Sequence, residues 1–219
     1  MAGRRRRIDI RSAATLFVAI LLVFGTGAWG SGGYARADDC AAVEMVAVRG
    51  THEPGNLGAV VGDPLYAALA AAVPLSVGAY AVRYPADLLD PGSVSRGTGD
   101  LVDHLVDRSV RCPAQRYVVA GYSQGAVVVH GALGTGVMVA MPGIRQLPPA
   151  LAPRIAAVLL FGDPLRLNAW SVADVYASRT RSYCAPGDPI CQLGATDPDA
   201  HVGYRDTIAA AADFAAHLL

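Results

Sequence analysis

The stretch VVAGYSQGAV, residues 118–127, runs from branched apolar residues into Gly121-Tyr122-Ser123-Gln124-Gly125. The apolar part reads as a buried strand, and AVVVHGAL, residues 126–133, reads as a helix directly after it. A serine between two glycines at a strand-to-helix turn has the setting of a nucleophile elbow. That turn is strained, and neighbouring backbone passes too close for side chains at the flanking positions. G-x-S-x-G is common by chance, so its weight here comes from the flanking elements.

Outward from the serine, strand-like and helix-like runs alternate. VEMVAV (43–48), VGAYAV (77–82), YVVAG (117–121) and IAAVLLFG (155–162) are short, apolar and rich in branched residues. LYAALAAAV (65–73) and TGDLVDHLVDRSV (98–110) read as helices, the second placing Leu101, Val102, Leu105, Val106 and Val110 on one face. A final helix is expected over 203–219, with Ile208, Ala212, Ala215 and Leu219 as its buried stripe. Residues 134–153, punctuated by Gly and Pro, read as a surface excursion. This alternation predicts an α/β fold: a parallel sheet with helices on both faces, a three-layer α/β/α sandwich.

The first residues have the three parts of an export signal: the basic run Arg4 to Arg7, the apolar run Ala13 to Phe24, and the small-x-small site Ala35 to Ala37. The expectation is a signal peptide over 1–37 and one domain over 38–219, with the protein secreted or held at the cell envelope. An uncleaved anchor is the alternative, and the arginine run leaves twin-arginine export open. Without residues 1–37 the chain keeps 12 of its 18 cationic and 17 of its 18 acidic residues, a mildly acidic balance that excludes electrostatic nucleic-acid binding.

Cys40, Cys112, Cys184 and Cys191 all fall in the exported part, and an even count there argues for two disulfides. Three pairings are open by sequence. Cys184 and Cys191 bracket the turn-rich APGDPI and are paired locally, which leaves Cys40 with Cys112. No close Cys/His pair accompanies them, so neither a metal nor a cofactor is expected.

A serine hydroxyl needs a histidine to take its proton and a carboxylate to orient that histidine. In the serine, acid, histidine order that follows an elbow, His52 and His104 come too early, and His130 sits in the helix behind the serine. His217 lies deep in the last helix, which leaves His201 in the loop DPDAHVGY. For the acid, Asp163 precedes a proline as a helix cap would, whereas Asp188 lies inside the Cys184 to Cys191 loop. A short disulfide loop holds a carboxylate in place, so Asp188 is preferred. Oxyanion donors are expected from the backbone N–H of Gln124 and from Thr51 in AVRGTHEPGNLG (47–58), a strand-to-helix loop.

RGTHEPGNLG, YPADLL (84–89), the positions of Cys40 and Cys112, GYSQG, FGDP, CAPGDPIC and HVGY run in order from residue 40 to 204. Together they resemble the cutinase family of serine esterases, particularly its bacterial members. The resemblance implies a small lidless α/β-hydrolase with five central parallel strands, two disulfides, a triad at Ser123, Asp188 and His201, and an oxyanion hole from Thr51 and Gln124. Family members commonly carry Ser where this chain has Thr51, which keeps the hydroxyl, and His52 and Pro54 stand at the mouth of the site.

The expected activity is hydrolysis of carboxylic esters with short to medium aliphatic acyl chains by a monomer in transient contact with lipid surfaces, with Leu88, Leu89, Ile190 and Leu193 flanking the substrate. Phospholipase or thioesterase chemistry at the same residues is the nearest alternative. An exported binding protein whose hydrolysis is incidental is a more distant one.

Overall fold

The computed structural model describes residues 40–219, and the export signal read over 1–37 lies outside the described residues. Five strands form one parallel sheet: β1 (Val43–Val48), β2 (Val77–Ala81), β3 (Arg116–Tyr122), β4 (Ile155–Phe161) and β5 (Thr180–Tyr183). Their spatial order is β2-β1-β3-β4-β5, which puts β3, the strand ending at the serine, in the centre. Every residue of β1 and β4 is buried, as continuous apolar runs in a sheet covered on both faces require.

Alternate residues of each strand feed two separate cores. Val46, Val48, Val119, Val158 and Leu160 pack under α2 (Ser93–Arg111) and α3 (Gln124–Ala132). Met45, Ala47, Val118, Ala120, Leu159 and Phe161 pack under α1 (Gly62–Ala72) and α5 (Ile208–Ala216). The result is the expected three-layer α/β/α sandwich, with the period of two along the strands deciding which core each side chain enters.

Several elements differ from their sequence reading. In α2, Leu101, Val102 and Leu105 are buried, but Val106 and Val110 are exposed; Gly97, Thr98 and Arg108 complete the buried stripe instead. Five residues from Leu105 is nearly one and a half turns, so Val110 cannot share its face. The final helix is shorter than 203–219: a 3-10 turn at Arg205–Thr207 precedes α5, and Ile208, Ala212 and Ala215 are buried as expected. Residues 134–153 are more than a surface excursion, since they include the short helix α4 (Gly136–Val139) and bury Thr135, Met138, Leu147 and Ala152.

Two disulfides tie the fold, Cys40 to Cys112 and Cys184 to Cys191. The first pins the start of the described chain to the end of α2. The second closes a seven-residue span just after β5.

Candidate active site

Ser123 stands between β3 and α3 with φ 54° and ψ −120°, a left-handed backbone that a residue with a Cβ rarely adopts. Its N–H is held by the carbonyl of Phe161 at 2.9 Å. The flanking glycines are required by close approach: a Cβ at Gly125 would fall 2.0 Å from the carbonyl oxygen of Val48, and one at Gly121 would fall 2.6 Å from that of Gly125. The elbow therefore forms because the chain can turn sharply there while packing against the end of β1.

His201 arrives from the other side, on a 3-10 turn spanning Pro198–Val202. Its Nε2 is 3.0 Å from Ser123 Oγ and its Nδ1 is 2.8 Å from Asp188 Oδ2. Because a carboxylate can only accept, Nδ1 carries the proton and the lone pair of Nε2 faces the serine hydroxyl. Tyr122 donates its hydroxyl to the His201 carbonyl at 2.7 Å, and its ring lies against the imidazole at 5.1 Å between centroids. Burial pushes the Tyr122 phenol well up, so it stays a donor.

Asp188 is fully buried within the Cys184 to Cys191 loop. Oδ1 accepts the N–H of Ile190 at 2.8 Å, and Oδ2 accepts both His201 and the hydroxyl of Tyr204, the latter at 2.5 Å. Burial raises the Asp188 carboxyl, but the hydrogen bonds from Tyr204, His201 and Ile190 outweigh it and leave the group below its ordinary value. Tyr204, itself fully buried, also accepts the N–H of Ala185 at 3.3 Å and makes an edge contact with the Phe161 ring.

Sequence reading assigns no role to Tyr204, although it ends the HVGY stretch. An aromatic hydroxyl sixteen residues from the carboxylate it serves leaves no local spacing to read. The hydrogen bond from His201 Nδ1 goes to Asp188, and Asp163 is engaged elsewhere. It caps the 3-10 turn at Pro164–Asn168 and binds the buried His130 at 2.9 Å.

On the oxyanion side, the Thr51 hydroxyl donates to Gln124 Oε1 at 3.3 Å, and Gln124 Nε2 donates to the Asp87 carbonyl at 3.1 Å. These bonds bring the β1–α1 loop, the start of α3 and the 84–92 loop together beside Ser123. The backbone N–H of Gln124 belongs to the first turn of α3, where N–H groups have no intrahelical partner. Leu88, Leu89 and Leu193 are exposed and Ile190 is half-buried, on the two loops flanking this region. His52 is exposed, 3.5 Å from Asp87 Oδ1.

A doubly covered parallel sheet with a serine elbow at its centre defines the α/β-hydrolase class of protein. The chain belongs to the cutinase family, whose model matches residues 39–219. A carboxylesterase of Mycobacterium tuberculosis, Culp1, is 38% identical over 197 residues, covering 84% of this chain and 85% of the relative. The phospholipase Culp4 of the same species is 36% identical over 211 residues, covering 93% of this chain and 87% of the relative. Among solved structures, a Trichoderma reesei cutinase in complex with a phosphonate inhibitor superposes with a TM-score of 0.69 at 32% identity, covering 82% of this chain and 77% of that one. The protein is accordingly a carboxylic ester hydrolase.

Proposed function

We propose that ester hydrolysis runs through an acyl-enzyme formed on Ser123. The observation that carries this reading is the line from Ser123 Oγ to His201 Nε2, 3.0 Å, and from His201 Nδ1 to Asp188 Oδ2, 2.8 Å. His201 takes the serine proton as Oγ attacks the ester carbonyl, and the imidazolium so formed is stabilised by the Asp188 carboxylate. Negative charge gathers on the carbonyl oxygen, where the N–H groups of Gln124 and Thr51 receive it, joined by the Thr51 hydroxyl once it turns from Gln124 Oε1. His201 then gives its proton to the leaving alcohol. Water, deprotonated by the same imidazole, attacks the acyl-enzyme and releases the acid with Ser123 restored.

The substrates in this reading are esters of short to medium aliphatic acids. Leu88, Leu89 and Leu193 stand exposed on flanking loops, where an alkyl chain buries about 0.8 kcal/mol per methylene. The same exposed leucines support transient contact with a lipid surface by a monomer. Residues 1–37 act as the export signal and place the domain outside the cell or at its envelope. The phospholipase relative favours one second reading, in which the ester belongs to a phospholipid.

A hydrolysis panel of p-nitrophenyl esters from acetate to palmitate, with phospholipids and thioesters alongside, tests the assignment. Short and medium esters should give the highest kcat/KM, and all activity should vanish in Ser123→Ala. A phospholipid as the best substrate would replace the proposed substrate class, and an active Ser123→Ala would remove the mechanism.

A further inference from the structure

Thr51 lies in a loop between β1 and α1 whose backbone is strained and held by few regular bonds. His52, the next residue, has φ 50°, and its N–H donates to Ala86, which is itself left-handed at φ 54°. Such conformations persist only where surrounding contacts over-determine them.

Here the contacts converge on one side chain, Glu53, which is 9% exposed. Its Oε2 accepts the N–H of Gly50 at 2.6 Å, and its Oε1 accepts the N–H of Val60 at 2.7 Å. The two bonds join the start of the loop to its end. Gly58, at φ 107°, wraps so closely that a Cβ there would lie 2.7 Å from Oε2. The loop is thus folded around a carboxylate.

Burial pushes the Glu53 carboxyl up from its ordinary value, against the pull of the Gly50, Val60 and Val61 N–H groups, and the charge of Asp63 adds to the rise. A raised folded value means that the group's stabilising contribution is present below the unfolded value and lost as pH rises through the folded one.

We propose that Glu53 is a positioning residue for the oxyanion site, holding Gly50 and Val60 so that Thr51 meets the developing negative charge at hydrogen-bond distance. The inference rests on the reading of Thr51 as an oxyanion donor. Glu53 touches no reacting atom. Its ionised form accepts both loop N–H groups, whereas the protonated acid must turn a hydroxyl toward one of them and lose that bond. The titratable groups that act on it are Asp63 from α1, Tyr84 after β2 and Tyr122 from β3.

The test compares Glu53→Gln with wild type in the full-length protein, using p-nitrophenyl butyrate, a fluorophosphonate that labels serine, and thermal melting at pH 8. The amide keeps the shape but turns an NH2 toward one of the two donors. Loss of fixed geometry should lower kcat by about tenfold to a hundredfold with KM unchanged. Labelling should slow in parallel, while the protein stays folded and its Tm falls only modestly for the one hydrogen bond lost. In a Thr51→Ala background the same substitution should cost less, because the donor it positions is already gone.

Wild-type kcat and labelling rate retained in Glu53→Gln would overturn the proposal and leave Ser123 in place. Failure of wild type to label at Ser123 would instead remove the oxyanion reading and this inference with it. If the variant does not fold, Glu53→Asp decides: the shorter carboxylate keeps the charge but cannot span both N–H groups, so kcat should fall about tenfold with KM unchanged and labelling should slow in parallel. Wild-type kcat and labelling rate in Glu53→Asp would overturn the proposal.

Discussion

Among the histidine–aspartate pairs of the described residues, two have nearly equal hydrogen-bond lengths, and only one of these two faces a serine hydroxyl. His201 and Asp188 meet at 2.8 Å beside Ser123, while His130 and Asp163 meet at 2.9 Å in the interior. The difference lies in the second ring nitrogen. In His201 it points at a serine hydroxyl. In His130 it is spent on Thr135 Oγ, 2.7 Å away. The Asp163 carboxylate can only accept, so His130 Nε2 carries the proton, and Nδ1 is enclosed against the Thr135 hydroxyl with no edge of the ring open to a substrate.

The inner pair is a tie between α3, the loop after β4 and the 134–153 segment. Both of its side chains are almost wholly buried, whereas His201 keeps part of its side chain in contact with solvent. A pair sealed from water can hold a fold together; a pair with one open edge can pass a proton.

The largest expected effect breaks this comparison in both directions. Asp188→Asn should lower kcat by about 10⁴-fold with Tm nearly unchanged, because the amide favours the wrong imidazole tautomer. Asp163→Asn should do the reverse, losing about 3 kcal/mol of stability as a buried pair is broken while the folded fraction keeps its turnover. Kinetics and thermal melts on both variants check this, and a collapse of kcat in a folded Asp163→Asn would erase the distinction.

Next in size is the Cys184 to Cys191 bridge. Its small loop adds roughly 2 to 3 kcal/mol in the chain-entropy account, so the double serine variant should fold and melt lower. Asp188 loses one of its restraints, and turnover should fall by about tenfold or more, within the range a small misplacement causes. Full activity in the folded double variant would mean that Tyr204 and Ile190 suffice to hold the carboxylate.

Tyr204→Phe should have a smaller effect, near tenfold on kcat or below, since one charge-assisted hydrogen bond of several is removed. It also carries a pH signature. Asp188 sits below its ordinary value, so its contribution to stability is present above the unfolded value of about 3.9 and is lost as pH falls through the folded one. Removing the Tyr204 bond raises the folded value and shrinks that contribution, and the acid unfolding midpoint should move to higher pH. An unmoved midpoint would show that the hydroxyl does not bear on the carboxylate.

What was legible in the sequence follows the same division. The elbow, the strands and the pairing of Cys184 with Cys191 are local, and local spacing carried them. His201 is preferred to His130 because His130 sits in the helix behind the serine, and Asp188 to Asp163 because a disulfide loop holds it; the structure sets His201 and Asp188 2.8 Å apart. What stayed hidden was every hydrogen bond between distant segments or off any regular period: Tyr204 on Asp188, Glu53 on both ends of its loop, and the use of Asp163 by His130. Val110 falls off the buried face by helix spacing alone, whereas Val106 was hidden because an apolar residue on a helix surface has the same letter as one in the core.

The most direct measurement of the central claim is covalent labelling with a fluorophosphonate followed by peptide mapping. The account predicts one adduct per chain, on Ser123, formed quickly in wild type and very slowly in His201→Gln. An active protein whose adduct forms at another residue, or equally fast without His201, would contradict it.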